Sequence, residues 1–263
     1  MEDKYGTVLS TGASSGIGEA LAAIFAEEGY DLILVARSAD KLETLADQLA
    51  DEYGTIVAVR PADLSQPGSV EALAHGLERE GQLVDVLVNN AGVLEHGSFV
   101  EMGPDYHQRM IQLNIAGLTD LLAYFLPPMV ERGAGRVLNV ASIAAFQPFP
   151  SLATYAATKA YVLSLSEALS EELRDSGITV TTLCPGVTAT NMVSSAGPVA
   201  DSLPSMLIGD VGEVAREAYR ACMKGRTIVV PGSLNLAGTL AARSTPKWLV
   251  RRLTGLMGRS TLR

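Results

Sequence analysis

Short apolar runs alternate with longer mixed stretches along nearly the whole chain, and this alternation predicts the fold. The runs fall at 6–11, 31–36, 55–60, 84–89, 136–141, 179–184 and 227–230. Several, such as LILVA at 32–36 and VDVLV at 84–88, are almost continuously apolar. A half-exposed strand alternates apolar with polar, whereas a strand buried on both faces does not, so these runs predict a parallel sheet covered by helices. Between them, helical apolar spacing covers 17–28, 39–52, 67–80, 104–131, 151–175 and 210–224. Gly29, Gly54, Gly81, Gly133 and Gly177 stand at helix ends, where a left-handed closing residue is cheap. The rhythm predicts one α/β domain: a doubly wound, seven-stranded parallel sheet with helices on both faces. That domain is expected over 1–233. It includes a Ser-, Gly- and Pro-rich loop at 188–209, which has the length of a substrate lid. Residues 234–263 are expected to form a basic, helical C-terminal extension of the same domain.

Composition narrows the functional classes. The chain has 263 residues, 48% hydrophobic and 19% charged, with a net charge of -9. A chain this acidic is a poor match for nucleic acid. Two cysteines far apart, Cys184 and Cys222, suit a reducing compartment and argue against a disulfide scaffold. No Cys/His cluster has metal spacing, so no metal is expected. The first residues lack a basic-then-apolar leader, and no apolar run reaches the roughly 20 residues of a membrane span. A cytoplasmic protein is the expectation. The tail departs from this picture, since 243–263 holds six basic residues and no acidic one. Trp248, Leu249, Leu253 and Leu256 would share one side of a helix there. Such a helix docks on its own protein or a sister subunit, or meets a membrane surface or acidic partner.

After the first run comes TGASSGIG at 11–18, leading into a helical segment. Gly12, Gly16 and Gly18 allow a sharp turn and close backbone approach to a pyrophosphate, with Ser14, Ser15 and Ile17 between them. A glycine pattern alone is a weak signal; between a strand and a helix it points to dinucleotide binding. The second strand ends in Ala36, Arg37 and Ser38, where NAD-binding folds usually carry an acid for the ribose 2′-hydroxyl. A guanidinium and a hydroxyl would instead hold a 2′-phosphate, which favours NADP(H).

YAATK at 155–159 puts Tyr155 and Lys159 one turn apart on a helix. An ammonium beside a phenol stabilises the phenolate and lowers its pKa from about 10. The string is common, so its meaning depends on the rest of the chain.

The remaining motifs supply that context. Asp63 and Leu64 follow the third strand, NNAG at 89–92 the fourth, Ser142 the fifth and PGVTAT at 185–190 the sixth. With TGASSGIG and YAATK, they make the chain resemble the short-chain dehydrogenase/reductase family, a Rossmann-type fold, over nearly its whole length to about residue 230. The resemblance implies Tyr155 as the general acid and Ser142 as the holder of the substrate carbonyl. It implies Lys159 as the tuner of the tyrosine and partner of the nicotinamide ribose, and Asn114, in QLNIAG, as support for a proton relay. Asp63 and Leu64 would flank the adenine, Asn90, Ala91 and Gly92 would line the cofactor, and Pro185, Gly186, Val187 and Thr188 would pass its nicotinamide end. The resemblance also implies a homodimer or homotetramer built on the helices near 104–131 and 151–175.

Phe146 and Phe149, with Met192, Val193, Leu203, Met206, Leu207 and Ile208 of the long loop, describe a mostly apolar pocket. Such a pocket suits a small-molecule ketone or aldehyde with an apolar or acyl chain, a 3-oxoacyl compound among the candidates. Two other readings stand beside it. One is a non-catalytic NADP-binding sensor. The other is a membrane-associated reductase of lipid-type ketones that uses the basic tail.

Overall fold

The computed structural model describes residues 6–188 and 208–245 of the chain. Seven parallel strands form one sheet: β1 (Thr7–Thr11), β2 (Asp31–Ala36), β3 (Val57–Pro61), β4 (Val86–Asn89), β5 (Gly135–Val140), β6 (Ile178–Leu183) and β7 (Ile228–Val229). Their order is β3-β2-β1-β4-β5-β6-β7, the doubly wound arrangement expected from the alternation. β3 begins later than the apolar run because its first residues are held otherwise. The Thr55 hydroxyl donates to the Tyr30 carbonyl, and Ile56 N–H donates to Asp31 Oδ1 at 2.9 Å.

Around the sheet lie α1 (Gly16–Glu27), α2 (Ala39–Tyr53), α3 (Ser69–Arg79), α4 (Pro104–Ile111), α5 (Leu118–Arg132), α6 (Ala153–Glu172), α7 (Val211–Met223) and α8 (Ser233–Ser244). α1, α2 and α7 cover one face, where Leu21, Phe25, Leu42 and Ala218 pack with Val8, Leu34 and Leu138. α3, α5 and α6 cover the other, where Leu73, Leu121, Met129 and Val162 pack with Leu9, Ile33, Leu87 and Val137. Both faces of the central strands are therefore buried, which is why their sequences do not alternate.

The helix expected over 104–131 contains a π turn, Gln112–Gly117, between α4 and α5. The continuous rod Pro104–Arg132 has 29 residues and is long and apolar enough to cross a membrane, a property that counting uninterrupted apolar runs had missed. Its apolar side, Leu118, Leu121, Leu122, Phe125 and Met129, is spent on the protein core.

α8 is oriented unusually. Thr239 is buried, while Leu234, Leu236 and Leu240 are exposed, and 231–242 contains no charged residue. The Trp248, Leu249, Leu253 and Leu256 set lies outside the described residues, as do Met192, Val193, Leu203, Met206 and Leu207 of the long loop. The two ends of that loop are brought together by a parallel bridge between Thr188 and Gly209, with Gly209 N–H donating to Val187 O at 2.8 Å.

Candidate active site

Strand order reverses between β1 and β4, so the loops leaving their carboxyl ends diverge and open a crevice. The glycine loop forms one wall. Gly12 has φ +66° and Gly16 φ +61°, a region that only glycine enters freely. A Cβ at Gly12 would lie 2.8 Å from Asn90 Nδ2, and one at Gly18 would lie 2.3 Å from the Gly12 carbonyl oxygen. The loop is thus closed onto the end of β4 with no room for a side chain at Gly12 or Gly18. Asn90 fastens it, its amide donating to Thr11 O at 3.1 Å and Gly12 O at 3.2 Å. The Thr11 hydroxyl accepts from the backbone N–H groups of Asn90 and Ala91, each at 3.1 Å, and donates to Val88 O. Ser15, at the head of α1, makes no side-chain cap, so the first-turn amides keep their donors for another acceptor. A pyrophosphate fits a wall of this kind: backbone left bare at the glycines and uncapped helical N–H groups.

Next along the crevice lie the residues expected at the adenosine end. Asp63 Oδ1 accepts from the Ser65 hydroxyl at 2.6 Å and the Ser65 N–H at 3.1 Å. These bonds, led by the hydroxyl and with Arg37 contributing, hold its carboxyl below the usual value. Leu64 is buried, and its carbonyl lies 2.6 Å from where a Cβ of Gly117 would sit, so the π turn packs directly on it. Arg37 and Ser38 are exposed at the end of β2, and no salt bridge among the described residues engages Arg37.

The opposite wall is made of side chains. Asn114, in the π turn and 1% exposed, accepts from Val93 N–H at 2.9 Å and donates to Val93 O at 2.9 Å and the Thr158 hydroxyl at 3.1 Å. Thr158 in turn donates to Tyr155 O at 2.7 Å. Asn114 therefore joins the loop after β4 to the helix that carries YAATK. The hydrogen bonds explain its burial; an amide with no partner there would be costly. Lys159 Nζ donates to Val140 O at 2.7 Å and lies 5.8 Å from the Tyr155 ring centroid. Ser142 heads a short 3₁₀ turn, Ile143–Phe146, and its Oγ accepts from Ala144 N–H at 3.1 Å. The same Ser142 side chain neighbours the Tyr155 phenol and acts to lower its pKa. Asn114, Ser142, Tyr155 and Lys159 thus converge from three separate elements.

The electrostatics differ from the simple expectation for YAATK. Burial raises the Tyr155 phenol to about 12, against the Ser142 hydrogen bond, which lowers it. Burial lowers Lys159 to about 8, with Cys184 opposing. The ammonium is anchored on Val140 O rather than on the phenol oxygen, so burial outweighs the attraction expected from spacing alone.

Beyond Tyr155, Ile143 N–H donates to Pro185 O at 3.0 Å, and the Thr188 hydroxyl donates to Gly186 O at 3.2 Å. A Cβ on Gly186 would strike Asn235 Nδ2 at 2.4 Å, so α8 presses on this segment from outside. Reasoning from sequence missed the supporting polar residues. Asn89 Nδ2 donates to Asn139 Oδ1 at 2.8 Å, and Asn139 Nδ2 donates to the Ser166 hydroxyl at 2.9 Å, all three fully or nearly buried. Asparagine inside central apolar strands was the available signal, because such a residue needs a partner. Thr158 and the role of Thr11 had no comparable signal.

Comparison with known proteins agrees with this architecture. The family model described as short chain dehydrogenase matches residues 6–199. A short-chain dehydrogenase from Sphingobium yanoikuyae, solved in complex with NADPH, is 37% identical and superposes with a TM-score of 0.83 over 96% of this chain and 94% of its own. A short-chain dehydrogenase/reductase from Burkholderia phymatum, solved with NAD, is 27% identical, with a TM-score of 0.81 over 91% of this chain and 93% of its own. Oxidoreductase UcpA of Escherichia coli strain K12 is 40% identical over 191 residues, 72% of each chain. By sequence and by fold, the chain belongs to the short-chain dehydrogenase family, oxidoreductases that use NAD(P)H.

Proposed function

We propose that the protein is an NADPH-dependent oxidoreductase that reduces a ketone or aldehyde, a 3-oxoacyl compound among the candidates, to the alcohol. The observation that carries this reading is the convergence of Asn114, Ser142, Tyr155 and Lys159 opposite a loop whose Gly12 and Gly18 leave no room for a side chain. A reduced nicotinamide, when bound, supplies the hydride. Ser142 and Tyr155, neighbours in this cluster, hold the substrate carbonyl oxygen. A phenol raised to about 12 stays protonated at neutral pH and is thus in the form that donates a proton to that oxygen. Lys159 binds the ribose hydroxyls, and Asn114 supports a water beside Lys159 that relays the replacement proton toward Tyr155. Asp63 and Leu64 flank the adenine, Asn90, Ala91 and Gly92 line the cofactor, and Pro185, Gly186, Val187 and Thr188 pass its nicotinamide end. Arg37 and Ser38 hold the 2′-phosphate. Their exposure and the NADPH complex of the Sphingobium relative support that choice.

A second reading is favoured by α8, whose exposed Leu234, Leu236 and Leu240 precede a basic tail. There the enzyme works at a membrane surface on lipid-type ketones, and salt-sensitive vesicle binding should disappear when 243–263 is deleted. The NADP-sensor reading loses ground because a sensor needs none of the four converging side chains. A homodimer or homotetramer using the outer faces of α4, α5 and α6, and a cytoplasmic location, complete the proposal. Tyr106 and Tyr161 stand exposed on those faces.

The test is NADPH oxidation against a panel from small aldehydes to long-chain 3-oxoacyl compounds, with NADH in parallel and Tyr155→Phe as the control. Turnover should favour NADPH and fall about 10²–10⁴-fold in the variant. Activity that survives Tyr155→Phe removes the assigned acid, and tight NADPH binding with no turnover across the panel favours the sensor.

A further inference from the structure

The loop after β4 and the segment entering α6 meet beside Tyr155, where Gly97 N–H donates to Ser151 O at 2.9 Å. Val93 and Leu94 from the first, with Phe149 and Leu152 from the second, pack with Met110, Ala144, Tyr155 and Ala156 in a small apolar cluster. Two buried polar atoms sit on these same segments with no hydrogen-bond partner among the described residues: His96 Nε2 and Ser151 Oγ. The other such atoms belong to Ser10, Asn89, Thr181 and Thr182 within the sheet. Ser151 is 7% exposed. It is also the one non-glycine residue with positive φ, 67°, among the described residues.

Each of these features is unfavourable to folding by itself. A hydroxyl buried without a partner loses its water, and a serine in the left-handed region is strained. Neither the sheet nor the backbone bond to Gly97 requires a serine side chain, since Ser151 uses its carbonyl there. A substrate atom would give the two orphaned groups their use.

We propose that His96 and Ser151 form a second anchor in the substrate pocket, binding an oxygen that the substrate carries close to its reacting carbonyl. The inference rests on the reductase reading above and refines its substrate class. An imidazole nitrogen donates or accepts according to tautomer, and a hydroxyl does both, so the pair holds an ester or amide carbonyl or a hydroxyl. A hydrocarbon ketone leaves both groups unpaired, and a site built around hydrogen bonds discriminates strongly against an analogue that cannot make them. The surrounding apolar cluster then accepts the rest of the chain.

Ethyl 3-oxobutanoate and 2-heptanone form the test pair, nearly equal in shape and differing in the ester oxygens. Steady-state kinetics at saturating NADPH would compare wild type with His96→Leu, Ser151→Ala and Ser151→Gly. Glycine tolerates the positive φ, so Ser151→Gly removes the hydroxyl without adding strain. The wild type should prefer the keto ester, and each variant should lose about tenfold in kcat/KM for the ester while 2-heptanone is unchanged. The same substitutions in a Tyr155→Phe background, with binding of each compound to the NADPH complex measured by calorimetry, read the anchor without turnover. There the ester should again weaken about tenfold and the ketone should not move. Equal losses for the two compounds, or no loss for either, overturn the anchor. Absence of turnover in the wild type with the affinity difference intact would instead count against the reductase reading while supporting the anchor.

Discussion

The two walls of the crevice are built by different physical means. The glycine wall, β1 to α1, is shaped by backbone: Gly12 and Gly16 at positive φ, Gly18 against the Gly12 carbonyl, and helical amides without a cap. The tyrosine wall is shaped by side chains from distant segments: Asn114 to Val93 and Thr158, and Lys159 to Val140. A backbone cradle needs an absence of atoms, so it shows as a string of glycines. A side-chain cluster needs partners, and partners 19 to 44 residues apart leave no local mark.

The comparison can be broken at either wall, and the largest effect should come from the backbone. Gly18→Ala puts a methyl group 2.3 Å from the Gly12 carbonyl oxygen and 2.4 Å from Asn90 Nδ2, atoms that cannot swing aside cheaply. Overpacking of this kind costs about 1–3 kcal/mol. Thermal melting should show the loss, and NADPH titration should show binding largely abolished; a variant that melts and binds like wild type would mean the loop is not the cradle.

On the other wall, Asn114→Leu keeps the branching of the side chain and removes three hydrogen bonds. Turnover should fall about 100-fold, since small misplacements of a reacting group are that costly. NADPH affinity should change far less, and equal losses in both would place Asn114 on the cofactor side.

Arg37→Ala should have a smaller effect. It should weaken NADPH about tenfold and leave NADH unchanged, as expected for loss of one charge-assisted phosphate contact. An equal effect on the two cofactors would remove the basis for NADP preference.

The smallest effect concerns pH. A Lys159 lowered to about 8 is an ammonium below that pH and an amine above it. If the ammonium is the working form, kcat at saturating NADPH should decline as pH rises through 8. Lys159→Arg keeps its charge across the range and should remove that decline. Tyr155, raised to about 12, should contribute no limb between pH 6 and 9.

Much of the architecture was legible before the structure. Continuous apolar runs marked strands covered on both faces, and all seven strands lie within two residues of them. The glycine loop and YAATK were legible because each is a local pattern on one turn or one helix. The π turn at Gln112–Gly117 was not, because its sequence, QLNIAG, has ordinary helical spacing. It arises where Asn114 must reach Val93 and where Gly117 must pass the Leu64 carbonyl. The burial of the Tyr155 phenol was not legible for a related reason: spacing measures nearness to Lys159 along the helix but carries no measure of burial, and burial is the largest influence on both groups.

By itself, the sequence determined the class of fold, the cradle for a dinucleotide and the residue types available for proton transfer, because periodicity and glycine placement are properties of neighbouring residues. Tertiary structure decided which of those residues meet. It turned Asn114 from a polar residue in a helix into the link between two walls, and it brought His96 and Ser151, 55 positions apart, onto adjoining segments beside Tyr155. Both outcomes come from packing, which brings together residues from separate parts of the chain and excludes the water they would otherwise bind.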